Sequence, residues 1–199
     1  PLHNERTPSF TIHPATNTRH CFGCGKGGDI ITLLQELDNL SFMGALESLS
    51  DSYHIDLHLN DEHDENYEKR KRMYAILKLA SNWYRGNWIN LDNNHPAKQN
   101  LDKRRLLPIA DSDETIGYAP EKGLLKVLWE KHYSTEEIIS AGLAYQRENQ
   151  SVIERFRDRI MWTLTDSSGR PIGFSARRIS EDKKIPKYLN SPETPLYNK

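Results

Sequence analysis

The sequence predicts an α+β fold in two parts: a cysteine-bearing ribbon with helices, then a second α+β region. Three observations carry this. The only two cysteines, Cys21 and Cys24, lie in a glycine-rich stretch near the start. Apolar residues then recur at the three- and four-residue spacing of amphipathic helices. After about residue 152 the apolar pattern shifts to that of strands.

Residues 1–28 are rich in Gly, Thr, Asn and His, with β-like runs at 9–12 and 18–21. Ile30, Leu33, Leu34 and Leu37 share one helical face, with Asp29 as N-cap. Phe42, Ala45, Leu46 and Leu49 repeat the pattern after Ser41, a second cap. Residues 60–66 are polar, acidic and non-periodic and read as a linker. A long helix begins near Tyr67, with Met73, Leu77, Ala80, Tyr84 and Trp88 on one face. Pro96 starts another helix, running to Leu106. Residues 117–120 read as a turn, and residues 124–133 as a helix. Ser134 and Glu137 form a capping box for a helix that stops at Gly142. Residues 160–165 and 171–176 read as strands of a hairpin, with Gly169 in the turn. The predicted division is 1–59, a linker at 60–66, and 67–199.

The 199 residues are 36% hydrophobic and 28% charged. No run reaches the roughly 18 apolar residues of a membrane helix, so no membrane span is predicted. The start has no basic, then apolar, leader. It also lacks an initiator Met, which predicts a fragment. The net charge of -1 is unevenly spread. Residues 1–60 hold three Lys/Arg against seven Asp/Glu, and residues 151–199 hold ten against six. The basic last quarter allows a local phosphate-binding face; solvated surface charge is the plainer account.

Two cysteines exclude a disulfide-rich scaffold. A redox Cys-x-x-Cys pair expects a helix starting at the second Cys, but Gly25, Gly27 and Gly28 follow. A zinc knuckle is the better reading: two thiolates from one tight turn bind one ion. Structural zinc takes four donors, so His must contribute. His3, His13 and His20 are the nearby candidates. The spacing does not show the fourth donor; a Cys directly before Pro1 would complete a Cys-His-Cys-Cys site.

Pro1-Leu2-His3-Asn4-Glu5-Arg6-Thr7-Pro8-Ser9-Phe10 and His20-Cys21-Phe22-Gly23-Cys24-Gly25-Lys26-Gly27-Gly28-Asp29 resemble the N-terminal zinc-binding domain of bacterial DnaG-type primases. That family's motif opens Cys-Pro-x-His, so the resemblance implies His3, Cys21 and Cys24 as zinc ligands, with the chain cut one residue after the first ligand. A second block resembles the N-terminal part of the primase polymerase core. It comprises Arg155-Phe156-Arg157-Asp158-Arg159-Ile160-Met161, Gly169-Arg170-Pro171-Ile172-Gly173-Phe174, Arg177 and Pro186-Lys187-Tyr188-Leu189-Asn190-Ser191-Pro192-Glu193-Thr194-Pro195. Residues 117–120 fit it too. The expected architecture is therefore an N-terminal zinc ribbon with helices, then an α+β primase-core subdomain.

The resemblance implies a DNA-directed RNA polymerase of the primase type, a nucleotidyltransferase making short RNA primers for DNA replication. It implies single-stranded DNA, NTPs, the RNA primer and a replicative helicase as partners, and a place at the cytoplasmic replisome. Catalytic Mg²⁺ or Mn²⁺ would be held by a Toprim-type part after residue 199, leaving no catalytic residue here and the fragment inactive alone. The template and nucleotide residues it implies are Arg159, Arg177, Lys187, Asn190 and Lys199. Arg pairs bidentately with phosphate and Lys acts as a point charge. Trp162, Phe174 and Tyr188 are aromatic candidates for base stacking, with core packing the commoner fate of the first two. Glu154 and Asp158 are expected to pair with neighbouring Arg. In the ribbon, Arg6, Phe10, Arg19, Phe22 and Lys26 are the few candidates for touching DNA. The alternatives are the primase half of a phage primase–helicase and a non-enzymatic zinc-ribbon DNA-binding protein.

Overall fold

A computed structural model describes residues 2–38, 40–57, 61–182 and 184–197, with the side chains of 61–64 left aside. Lys199, one expected nucleotide-binding residue, lies outside the described residues, as does residue 60. The chain forms two compact units. One comprises residues 1–67 with the turn 166–169; the other comprises 68–165 and 170–199.

The first unit is a three-stranded antiparallel ribbon followed by two helices. Strands β1 (Phe10–His13), β2 (Thr18–Cys21) and β3 (Gly27–Gly28) lie in that order. Phe10 pairs with Cys21 and Ile12 with Arg19, so these four side chains share one face of the ribbon. Asp29 caps α1 (Ile30–Asp38) by accepting the Thr32 N–H at 2.9 Å. Ser41 caps α2 (Phe42–Tyr53) through the Gly44 N–H at 3.1 Å. The expected apolar stripes are only partly covered. Leu34 and Ala45 are buried, whereas Ile30, Leu37 and Phe42 stay exposed, and α2 buries Glu47 and Ser48 instead. So small a unit lacks the interior to bury two full stripes.

Helix α3 runs Asp61–Ile89, so residues 61–66, expected as linker, are helical. Polarity hid this, yet Glu65, Glu68, Lys69 and Lys71 are strong helix formers with exposed partners at turn spacing. The expected stripe holds: Met73, Leu77, Ala80, Tyr84 and Trp88 are all buried.

The second unit is a four-stranded antiparallel sheet of order β4 (Ile116–Ala119), β7 (Arg159–Thr165), β8 (Pro171–Arg178), β9 (Tyr188–Asn190). A separate hairpin pairs β5 (Ala144–Gln146) with β6 (Val152–Glu154). One sheet face packs Met161, Phe174 and Ala176 against α3 residues Ile76, Leu77 and Tyr84, with α6 (Leu124–Glu130) and α7 (Thr135–Ser140) adding Leu124, Leu128 and Ile138. Over β4 and β7, the other face carries Ile116, Tyr118 and Ile160 against Trp88, and against Ala97, Leu101 and Ala110 of α4 (Pro96–Asp102) and α5 (Leu107–Ser112).

Three local expectations give way. Of residues 117–120, expected as a turn, 117–119 belong to strand β4 and only Pro120 lies beyond it, because the strand crosses α3 so closely that a Cβ at Gly117 would sit 2.7 Å from the Tyr84 carbonyl carbon. The helix from Pro96 stops at Asp102, where Arg105 turns to φ 58°, and Pro108 opens α5. The helix from Leu124 ends at Glu130. The capping box stands: Ser134 Oγ accepts the Glu137 N–H, and Glu137 accepts the Ser134 N–H.

Candidate metal centre and nucleic-acid face

The metal site begins with a tight turn. The Gly25 N–H donates to the Cys21 carbonyl at 2.8 Å, and Cys21 N–H to the Lys26 carbonyl at 2.8 Å. Gly25 adopts φ 73°, open to glycine without strain. The preceding loop brings His3 over this turn. His3 Nδ1 lies 3.6 Å from Cys21 Sγ, and the donor atoms of His3, Cys21 and Cys24 fall within 4.8 Å of one another. Cys21 is buried and Cys24 exposed. A Cβ at Gly23 would meet His3 Nε2 at 2.7 Å, so the histidine ring fills the space a side chain would take. The Cys21 thiol is pushed down to about 7, first by its contact with Ser9 Oγ and then by the backbone N–H groups of Cys24 and Gly23. A soft, easily deprotonated sulfur beside an imidazole nitrogen is the donor chemistry zinc favours. The cluster thus fits zinc with three of its four positions. His13 and His20, the other histidine candidates, do not join it.

Around this site, sequence reasoning missed Glu5, Ser9 and Gly23. Glu5 Oε2 lies 3.1 Å from His3 Nε2. The Ser9 N–H donates to Glu5 Oε1 at 3.0 Å, and the Ser9 hydroxyl donates to Oε2. No spacing in the sequence marks Glu5 or Ser9, since only the folded loop sets them beside His3.

Among the ribbon candidates for DNA contact, Arg19 is buried and its Nη2 donates to Glu36 at 2.8 Å, so it is structural. Phe22 is 71% exposed and stacks edge-on with His20. Lys26 reaches toward the same Glu36 at 3.9 Å.

In the second unit, pairing sorts the basic residues by face. Ile160 pairs with Arg177, and Arg177 with Tyr188; Ser175 pairs with Asn190. Arg177, Tyr188 and Asn190 therefore share the face that α4 and α5 cover only over β4 and β7. Arg159 pairs with Arg178 on the opposite face. Arg177 is buried, donates to the Tyr188 hydroxyl at 2.6 Å and lies 5.4 Å from the ring centroid. Lys187 Nζ sits 5.7 Å from the same centroid. Tyr188 itself is 56% exposed, whereas Phe174 is fully buried and Trp162 packs against the core. One exposed aromatic ring is thus flanked by two cations. Asn190 Oδ1 accepts from Ser175, and its carbonyl accepts from Arg155 at 3.0 and 3.2 Å. Arg159 is buried and donates to the Pro186 carbonyl at 3.1 Å, holding the segment that leads into β9. Burial lowers its affinity for its proton, with Arg178 nearby adding to this, yet a guanidinium stays charged.

The expected arginine partners of Asp158 and Glu154 are replaced. Asp158 accepts the Tyr118 hydroxyl at 3.0 Å, and Glu154 accepts backbone N–H groups of Gly123 and Leu125. Asp111 and Asp113, an Asp-x-Asp spacing, are also occupied locally, by Trp88 Nε1 at 3.0 Å and the Thr115 N–H at 2.8 Å. Among the described residues, His3, Cys21 and Cys24 form the one His/Cys/Asp/Glu group placed so that it could hold a metal ion.

Residues 1–65 match the family model described as CHC2 zinc finger, and residues 84–199 match that described as DNA primase catalytic core, N-terminal domain. The chain belongs to the DNA primase family. The DNA primase of Clostridium acetobutylicum is 35% identical over 205 residues, covering 100% of this chain and 33% of the relative. That of Streptomyces coelicolor is 34% identical over 206 residues, covering 100% and 32%. The chain spans about a third of the length of these curated relatives. Among solved structures, the zinc-binding and RNA polymerase domains of Aquifex aeolicus primase cover 100% of this primase chain and 47% of their own, at 31% identity and TM-score 0.57. The RNA polymerase domain of Mycobacterium tuberculosis primase DnaG, in complex with double-stranded DNA, covers 65% and 41% at 34% identity and TM-score 0.58. A DnaG primase catalytic domain bound to single-stranded DNA covers 66% and 42% at 30% identity and TM-score 0.57. The zinc finger of this primase chain makes structural zinc the ion its cluster suits. The match of 84–199 to a catalytic-core model disfavours the non-enzymatic reading. No helix among the described residues is long and apolar enough to cross a membrane.

Proposed function

We propose that this chain is the zinc-binding and N-terminal core portion of an enzyme that makes short RNA primers on single-stranded DNA. The observation that carries this is the order of two matches on one chain, a CHC2 zinc finger and then a primase core, with a three-donor cluster inside the first. His3, Cys21 and Cys24 hold a structural Zn²⁺ that locks the ribbon, residues 1–59, and the ribbon reads the template. Residues 67–199 form the N-terminal subdomain of the polymerase core.

In that subdomain the chain's own residues bind and orient rather than react. The Tyr188 ring offers a face on which a template base stacks, and Lys187 and Arg177 beside it attract the backbone phosphates. Asn190 extends the polar row along the same sheet face, and Arg159 supports it from the opposite side. Phosphoryl transfer depends on positioning and charge stabilisation. The Mg²⁺ or Mn²⁺ it uses is held by carboxylates outside residues 1–199. NTPs, the RNA primer and a replicative helicase are the remaining partners, at the cytoplasmic replisome.

The test is single-stranded DNA binding and primer synthesis by the full-length protein carrying Lys187→Ala or Tyr188→Ala. Lys187→Ala should weaken binding across all sequences and reduce the dependence of affinity on salt by about one ion. Tyr188→Ala should weaken binding with little change in that dependence. Unchanged affinity and primer yield in both would remove this face from the template path.

A further inference from the structure

The zinc ligands are few, and one of them comes from an irregular segment. His3 precedes every strand and helix, so nothing in the secondary structure fixes its ring. An imidazole so placed needs another group to choose its tautomer and hold its plane. Glu5 occupies the position that does this. Its Oε2 lies 3.1 Å from His3 Nε2, on the side of the ring away from Nδ1. Nδ1 is the nitrogen that faces the knuckle, 3.6 Å from Cys21 Sγ.

A neutral imidazole carries one N–H and one lone pair. A carboxylate on Nε2 claims the N–H there and leaves the Nδ1 lone pair for a metal. Glu5 is itself immobilised. Ser9 donates its backbone N–H to Oε1 at 3.0 Å and its hydroxyl to Oε2. Ser9 Oγ in turn accepts the Gly23 N–H at 3.0 Å, inside the turn between the two cysteines. The circuit His3–Glu5–Ser9–Gly23 therefore closes on the loop that carries the other ligands. A casual surface ion pair has no such anchoring. Ser9 Oγ also lies 3.4 Å from Cys21 Sγ, but its one hydroxyl proton serves one acceptor at a time.

We infer that Glu5 is the positioning residue of the zinc site, fixing the tautomer and orientation of His3 so that Nδ1 points at the ion. This rests on the reading of His3, Cys21 and Cys24 as ligands. Outer carboxylates of this kind raise the basicity of a ligating histidine, and their loss typically weakens metal binding about 10–100-fold.

The experiment measures Zn²⁺ affinity of the whole chain by competition with a chromophoric chelator, and the visible spectrum after Co²⁺ replaces Zn²⁺. Glu5→Ala should weaken Zn²⁺ about 10–100-fold and move the cobalt bands toward those of His3→Ala. Glu5→Gln, whose amide oxygen can still accept from Nε2–H, should recover part of the affinity and most of the spectrum. In a His3→Ala background, Glu5→Ala should cost nothing further, because Glu5 acts through His3. Equal losses with and without His3, or wild-type affinity in Glu5→Ala, overturn the inference while leaving the zinc site standing. Failure of the wild-type chain to take up Zn²⁺ overturns both.

Discussion

Glu154 caps a helix to which it does not belong. Its Oε1 accepts the Gly123 N–H at 2.8 Å and the Leu125 N–H at 3.0 Å, two donors at the start of α6 that its own N-cap, a glycine, cannot serve. The carboxylate is buried, and Oε2 has no hydrogen-bond partner among the described residues. The negative charge also sits at the positive end of the helix dipole.

Glu154→Ala should therefore destabilise the second unit by about 1–3 kcal/mol, because it leaves buried N–H groups unpaired. Glu154→Gln, which keeps an acceptor and loses the charge, should cost less. Urea unfolding followed by tryptophan fluorescence checks the order. Equal stability of wild type and Glu154→Ala would show that water satisfies the α6 start.

Gly117→Ala should destabilise by about 1–3 kcal/mol through overpacking. The added Cβ would fall 2.7 Å from the Tyr84 carbonyl carbon and 2.9 Å from its oxygen, and backbone cannot swing aside as a side chain can. The loss should appear as a lower melting temperature with an unchanged circular dichroism spectrum at low temperature. Wild-type melting would mean that β4 and α3 separate without strain.

Chelation of zinc, or Cys24→Ser, should unfold the ribbon and its helices while sparing residues 70–197, since metal binding energy in such a site is folding energy. Amide hydrogen exchange resolves the two units. Protection across β1, β2 and α2 that ignores the chelator would refute the structural role.

Glu137 ties α7 to α3. It accepts from Arg72, with Nη2 at 3.1 Å, and from the Ser134 N–H at 2.8 Å. The Arg72 guanidinium, first among its neighbours, holds its carboxyl below the ordinary value of 4.5. With the folded value below the unfolded one, the stabilisation is present above that ordinary value and lost as pH falls through the folded one. Arg72→Ala should lower stability only slightly near neutrality, since Arg72 is half exposed and solvent screens the pair. It should also flatten the acid limb of the stability profile. An acid limb identical to wild type would assign the acid sensitivity to other carboxylates.

The parts of the fold legible in the sequence were those with a strong local cause. Met73, Leu77, Ala80, Tyr84 and Trp88 keep one period over four turns, and all are buried. Ser134 and Glu137 announce a helix start through their own side chains. β4 stayed hidden because Gly117 and Pro120 read as turn residues, whereas the glycine answers a contact with Tyr84, far away in sequence. β9 and the β5–β6 hairpin are three residues per strand, too short for alternation to show. The candidate metal donors were legible from cysteine spacing and resemblance, and the structure brings His3, Cys21 and Cys24 within 4.8 Å of one another. Glu5 and Ser9 were not, because their part is defined only by what the folded loop places beside His3. For the basic face, sequence named Arg177, Lys187 and Asn190 but not that Arg177 lies beside Tyr188, a pairing that strand register creates.

That contact has a further consequence. Arg177 gives one nitrogen to the Tyr188 hydroxyl and stands against its ring, so the phenol is tethered at its far end. A tyrosine free in solvent would surrender rotamer entropy whenever a flat ligand settled on it. Here that freedom has already been given up during folding, and the exposed plane stands ready in a single orientation.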